Sequence, residues 1–258
     1  MRFLAEFVAV PLFVLLGMGV ALEIGVHLRA RHQKLPGNVG NDGLGTVDGA
    51  VFALMGLLLA FVFSGAASRF DHRRDLIVEE ANAIGTAYLR VDLLLPEDQP
   101  ALRQKFREYV DSRLELYKDL EDESKARAKL QKCLALQTEI WDMAVDGGAR
   151  TKTTYATMLL LPALNDMIDI VTTRSAEKMK HPPLAIWGLL STVLLLCAML
   201  AGYRIGDSSH FTRLHRAAFV VVLAITSYVI IDLEYPRLGR IRVDAHDVLL
   251  VDVRESMR

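Results

Sequence analysis

The sequence predicts an all-α membrane protein, with four transmembrane helices and a helical portion in the cytosol. Three observations carry that expectation. Apolar residues gather in four blocks, Leu4–Leu28, Val51–Phe63, Leu184–Tyr203 and Ala217–Ile231, in a chain of 258 residues that is 52% hydrophobic. The polar stretch between the second and third blocks spaces its apolar residues by three or four, the helical period. No segment with the strand period of two stands out.

A spanning helix needs roughly 20 apolar residues. The first and third blocks meet this alone. The second and fourth meet it with their flanks, Gly49–Ser68 and His215–Leu233. Arg2 precedes the first block in the manner of a secretory signal. However, Glu6 and Glu23 interrupt it, it outruns a signal core, and "VHLRARHQ" offers no small-residue cleavage site. It therefore reads as a retained span. Glu6 beside Arg2, and Glu23 near Arg29 and Arg31, read as interfacial carboxylates, because a charge is costly in hydrocarbon.

Four parts follow. Residues 1–68 hold spans one and two with a Gly-rich connection, 69–181 a helical cytosolic domain, 182–233 spans three and four, and 234–258 a tail. With four spans both termini share a side with the helical domain. Near the membrane that side carries Arg2, Arg69, Arg73, Arg74, Lys178, Lys180, Arg237, Arg240 and Arg242. The loops Arg29–Asp48 and Arg204–Arg216 carry Arg29, Arg31, Lys34, Arg204, Arg213 and Arg216. The basic excess assigns the first side to the cytoplasm.

Within the helical domain, "PEDQPALRQKFREYVDSRLELYKDLEDE" places Leu102, Phe106, Val110, Leu114 and Tyr117 on one face. Pro96 and Pro100 break the chain before it, and Asp98 is a candidate N-cap. "SKARAKLQKCLALQTEIWDMAVD" repeats the pattern through Leu130, Leu134, Ile140 and Trp141, with Gly147 and Gly148 expected to end the helix. A third helix contains Pro162, and Pro182 and Pro183 open the third span, as Pro suits a helix N-terminus. "KDLEDESKARAK" reads as a solvated helix tip.

Several function classes fall away. A net charge of −1 speaks against a nucleic-acid partner. Cys133 in a polar helix and Cys197 in a membrane block are not placed to form a disulfide. "GNVGNDGLGTVDG" is rich in glycine, but a phosphate loop needs a preceding strand and, for the P-loop, a Lys-Ser/Thr pair; it reads as a loop between spans. Asp244, His246 and Asp247 in "DAHD" are too few hydrophilic residues to define a metal site. No catalytic constellation is recognisable from spacing, and neither an enzyme activity nor a cofactor is expected.

The second span carries the most information. Gly56, Ala60, Ser64 and Ala67 form a small-residue stripe along which another helix can approach. On a wheel of about 100° per residue, Leu57, Ser64, Ser68, His72, Asp75 and Glu79 fall within roughly 60° of Phe61, with Leu54 on the same side. That face passes from bulky apolar through hydroxyl to acidic. A water-filled axis shared by several copies accounts for the gradient, with Leu54, Leu57 and Phe61 as a hydrophobic neck and Ser64, Ser68, His72, Asp75 and Glu79 as its polar continuation. A helix that becomes polar on every face as it leaves the bilayer accounts for it equally.

"SGAASRFDHRR.LIVEEANAIGTAYLR.DLL", "LPALNDMIDI" and "DLEYPRLGRIRV" resemble the bacterial bestrophin-like family, over nearly the whole chain. That family is remotely related to the bestrophins, pentameric ion channels with four spans per subunit and a helical cytosolic portion. The resemblance implies a homopentameric ring in a bacterial inner membrane, with the lipid bilayer, small inorganic ions and other copies of the chain as partners. It also implies a pore lined by the second span, with its neck near Ala53, Leu57 and Phe61. Eukaryotic bestrophins clasp calcium with an acidic run after the last span; here "DLEYPRLGRIRVDAHD" is basic in its middle. The competing reading is an oligomeric scaffold or sensor that does not conduct. Carboxylates at Asp75 and Glu79 speak against a purely anion-favouring vestibule.

Overall fold

The computed structural model describes residues 2–34, 44–118, 123–151, 154–205, 210–237 and 239–257. Among them there are helices and no strand: α1 (Arg2–His32), α2 (Leu44–Arg90), α3 (Gln99–Lys118), α4 (Glu123–Arg150), α5 (Thr154–Lys178), α6 (Leu184–Ile205), α7 (His210–Glu234) and α8 (Val248–Ser256), with short 3-10 turns at Val91–Leu93 and Asp244–Asp247. The chain divides into two compact units. One holds residues 1–70 and 181–241, the other 71–180 and 242–258.

Helix α2 has 47 residues and no interior Pro. At about 1.5 Å per residue it is roughly 70 Å long, more than twice the roughly 30 Å of a bilayer core. It therefore has to leave any membrane it crosses. It begins earlier than expected, so Gly45, Asp48 and Gly49 are helical and not part of a loop. Likewise α6 and α7 extend into the stretch expected as their connection. Residues 35–43 and 206–209, within the expected connections, and the charged stretch 119–122 lie outside the described residues.

In the first unit, Met18, Leu22, Met55, Leu59, Leu194, Cys197, Leu223 and Ile230 form the core of α1, α2, α6 and α7. The closest approach is between α1 and α6. A Cβ on Gly25 would lie 1.9 Å from the Met199 carbonyl oxygen, and one on Gly202 would lie 1.9 Å from that of Leu22. Backbone meets backbone there, which only glycine permits. Gly202→Val is therefore expected to force the two helices apart and cost at least the roughly 1–3 kcal/mol of overpacking. A thermal melt of the detergent-purified protein reads it, and an unchanged midpoint would show that the crossing is looser than this. Beyond the crossing, Arg29 donates to the Tyr203 and Arg204 carbonyls at 3.0 and 2.9 Å, and Arg204 pairs with Asp48.

The second unit packs Ile84, Tyr88, Phe106, Tyr109, Val110, Ile140, Leu160, Leu164, Met167 and Leu250 into one core. Helix α3 buries the predicted face, but α4 corrects its prediction. Leu134 is exposed, and the inward stripe runs through Cys133, Leu136, Gln137, Ile140 and Ala144. Cys133 is fully buried, 3.2 Å from the Ser112 hydroxyl, and not on a polar surface. Nor do Gly147 and Gly148 end α4, which continues to Arg150. Gly148 faces Thr157, whose Oγ1 would stand 2.8 Å from an added Cβ. Asp98 stands just before α3, and its carboxylate accepts from Arg150 at 2.6 and 3.2 Å.

By length and apolarity α2, α5, α6 and α7 could each cross a membrane. Helix α5 also has Leu160, Leu164 and Met167 to bury, and it places them in the core of the second unit. Helix α1, the first expected span, is helical from Arg2 to His32, and the side chains of residues 2–11, Glu6 included, lie outside the described set.

Candidate functional site

The predicted neck residues lie on the part of α2 that belongs to the first unit. Met55, Leu59 and Ala66 turn inward to the core. One helical step away, Leu54, Leu57 and Phe61 are 49, 53 and 66% exposed, and Ala53, Ser64 and Ser68 are exposed with them. Large apolar side chains thus stand outside the chain's own core. Of the small-residue stripe, Gly56 and Ala60 are exposed, with nothing within 4 Å of where a Gly56 Cβ would sit. Ala67 is half-buried against the core. The stripe's outer part therefore serves no helix contact among the described residues of this chain.

In the second unit, His72, Asp75 and Glu79 are exposed on the continuation of α2. His72 leans on α5, its Nε2 3.6 Å from the buried Glu177 carboxylate, which Lys180 approaches to 2.7 Å. Buried Arg73 donates to the Lys180 carbonyl at 3.0 Å and so caps the end of α5. Asp75 and Glu79 are the exposed acids of this face.

Sequence reading missed the charged group at the base of this face. Glu80 is fully buried and accepts from three donors. Arg113 Nε lies 2.6 Å from Oε1, the Tyr117 hydroxyl 3.0 Å from Oε2, and Arg174 pairs with the same Oε2. The Arg113 and Arg174 guanidiniums also lie over the Tyr117 ring, at 5.0 and 4.5 Å from its centroid. Nearby, burial pushes the Tyr109 phenol up from its ordinary pKa, while its oxygen accepts from Gln137 at 3.1 Å.

The stretch after the last span is closed by the chain itself. Asp232 is fully buried and accepts the backbone N–H groups of Arg240 and Ile241 at 2.9 and 2.8 Å. Gly239 N–H donates to the Tyr235 carbonyl at 3.1 Å. Glu234, also buried, is held by Arg69, with Nε 3.0 Å from Oε1, and His181 Nδ1 stands 3.4 Å from Oε2. Two of the four acids in "DLEYPRLGRIRVDAHD", Asp232 and Glu234, are thus engaged by groups of the protein. Likewise His246 Nε2 accepts from Arg74 at 3.0 Å. Among the described residues no three His, Cys, Asp or Glu side chains converge as a metal site.

A 47-residue helix without interior Pro runs through the chain, and the C-terminal tail lies in the second unit, with Arg254 Nε 2.7 Å from Asp111 Oδ1. The model of the bestrophin-like domain matches residues 10–247. This chain belongs to the bestrophin-like domain family. Two crystal structures of point mutants of a bacterial bestrophin homologue from Klebsiella pneumoniae share the fold. Each has a TM-score of 0.69 and 14% identity over 95% of this chain, and 98% and 97% of the homologue is covered. No curated protein matches the sequence. The bestrophin-like fold accounts for the helix order and for a second unit built from both a central segment and the C-terminal tail.

Proposed function

We propose that this bestrophin-like protein is one subunit of a homopentameric ion channel, with α2 lining the pore. Leu54, Leu57 and Phe61 form its hydrophobic neck, Ser64 and Ser68 follow, and His72, Asp75 and Glu79 line the vestibule. One observation carries the reading: α2 leaves large apolar side chains and then hydroxyls and acids exposed, while its inward side fills the core. A membrane protein exposing Phe61 to lipid alone has no need for Ser64 and Ser68 in register behind it. Around a shared axis the same series gives a dewetting constriction followed by a hydrated, acidic passage that favours cations. The exposed Gly56 and Ala60 then lie where neighbouring copies approach, and cyclic symmetry puts one face of every copy on the axis.

Native mass spectrometry of detergent-purified protein is expected to give a pentamer, and planar-bilayer recording of the same preparation discrete cation currents. A monomer or antiparallel dimer would sink the pore. A pentamer without current would leave the oligomeric scaffold or sensor.

The bias of basic residues supports a reading with the termini in the cytoplasm and the ends of α1 and α6 outside, and the family likeness supports a bacterial inner membrane. Cysteines introduced at Asn41 and Ser208 are expected to react with impermeant reagents from outside, and one at Glu121 is not. The native Cys133 and Cys197 are buried, which keeps the background low. Labelling of Glu121Cys and Asn41Cys variants from one side would break this topology.

A further inference from the structure

We infer that the outer half of α1 holds an anionic phospholipid, with an acyl chain in an apolar groove and the phosphate on Arg31. Helix α1 turns Met18, Leu22 and Gly25 toward α6, so Leu16, Val20, Ile24 and Leu28, four residues apart, stand on the opposite side. They are 60, 61, 48 and 45% exposed. An open groove of about 670 Å³ runs along them. Gly19 forms its notch, with nothing within 4 Å of where a Cβ would lie.

The groove is graded along its length, and the grading selects the occupant. Its polar residues are Glu23, His27 and Arg31, at the end where α1 stops. Glu23 has a cation of the chain beside it, since Arg216 Nη1 lies 3.8 Å away, and its backbone carbonyl is 2.8 Å from His27 Nδ1. With Arg216 beside Glu23, Arg31 is the exposed cation at that end of the groove. From Leu16 to Arg31 the helix rises roughly 22 Å. One leaflet of hydrocarbon is about 15 Å deep. With Leu16 near the midplane, the apolar stripe spans one leaflet and Arg31 reaches phosphate depth. An apolar shaft ending in cations is complementary to an amphiphile with an anionic head. A neighbouring apolar helix would gain nothing from the cationic end.

The test is native mass spectrometry of the purified full-length protein, titrated with phosphatidylglycerol or phosphatidylcholine in detergent. The wild type should retain phosphatidylglycerol in preference. Arg31→Gln should lower phosphatidylglycerol affinity about fivefold, the equivalent of one basic residue at the surface, and leave phosphatidylcholine unchanged. Gly19→Phe fills the notch and should reduce both. Wild-type lipid retention by either variant would overturn the assignment. So would a changed subunit number in Gly19→Phe, which would make this face a contact between copies. No current is measured, so the result stands apart from the pore reading.

Discussion

Glu80→Ala is expected to destabilise the second unit by about 3–5 kcal/mol, the cost of stripping one partner from a buried ion pair. Glu80 has no solvent exposure, and the Arg113 and Arg174 side chains are 3 and 8% exposed. Once the carboxylate is gone, two guanidiniums stay in the interior without their counter-charge, beside the Tyr117 ring and hydroxyl. Arginine does not relieve this by losing its proton. The affected groups sit on α2, α3 and α5, so the loss reaches most of the unit at once. Trp141 belongs to α4 and packs on the same core, so in a Trp187→Phe background its fluorescence follows this unit on heating. A fall in the melting midpoint of about 10 °C or more is expected for a domain of this size. Glu80→Gln keeps an acceptor for Tyr117 or one arginine and should fall between alanine and wild type. A loss under about 1 kcal/mol for alanine would show that water reaches the group, as it does in surface pairs.

That cluster also shows where sequence reading stops. Glu80, Arg113 and Arg174 stand in charged helices where such residues are normally solvated, and nothing local distinguishes them. They meet across sequence separations of 33 and 94, so only the folded chain brings them together. The α2 helix was legible because its continuity is a local property: from Leu44 to Arg90 no Pro interrupts it. The α3 face was legible for the same reason. The α4 face was misjudged because Leu134 outweighs Cys133 in apolarity, while burial there follows the phase of the helix against α3. The α1–α6 crossing has a small-residue signal of its own, in Ala21 with Gly25 and Ala198 with Gly202, of the same kind as the stripe at Gly56 and Ala60. Spacing says that a close approach is available; it does not say which partner arrives. For Gly25 the partner is inside the chain. For Gly56 it is not found among the described residues, and that difference is what turns attention to other copies.

Replacing Leu57 and Phe61 together with Ala is expected to raise single-channel conductance or open probability, with little change in stability. At 53 and 66% exposure neither side chain contributes much to the core of its own unit. Truncating an exposed side chain usually costs within about 0.5 kcal/mol. In the proposed ring the same atoms would meet their counterparts from other subunits, where an apolar constriction gates by excluding water. Shortening both widens it and lets water persist, and Ser64 and Ser68 then present hydroxyls to an already wetted column. If the two residues instead packed against a helix of another copy, their loss would resemble a core truncation of roughly 2–5 kcal/mol per site, and the oligomer would loosen. The outcomes separate on two axes, current and melting midpoint. More current with an unmoved midpoint places both residues at the neck. A lowered midpoint or a lost oligomer, with no gain of current, makes them packing residues and moves the constriction elsewhere on α2.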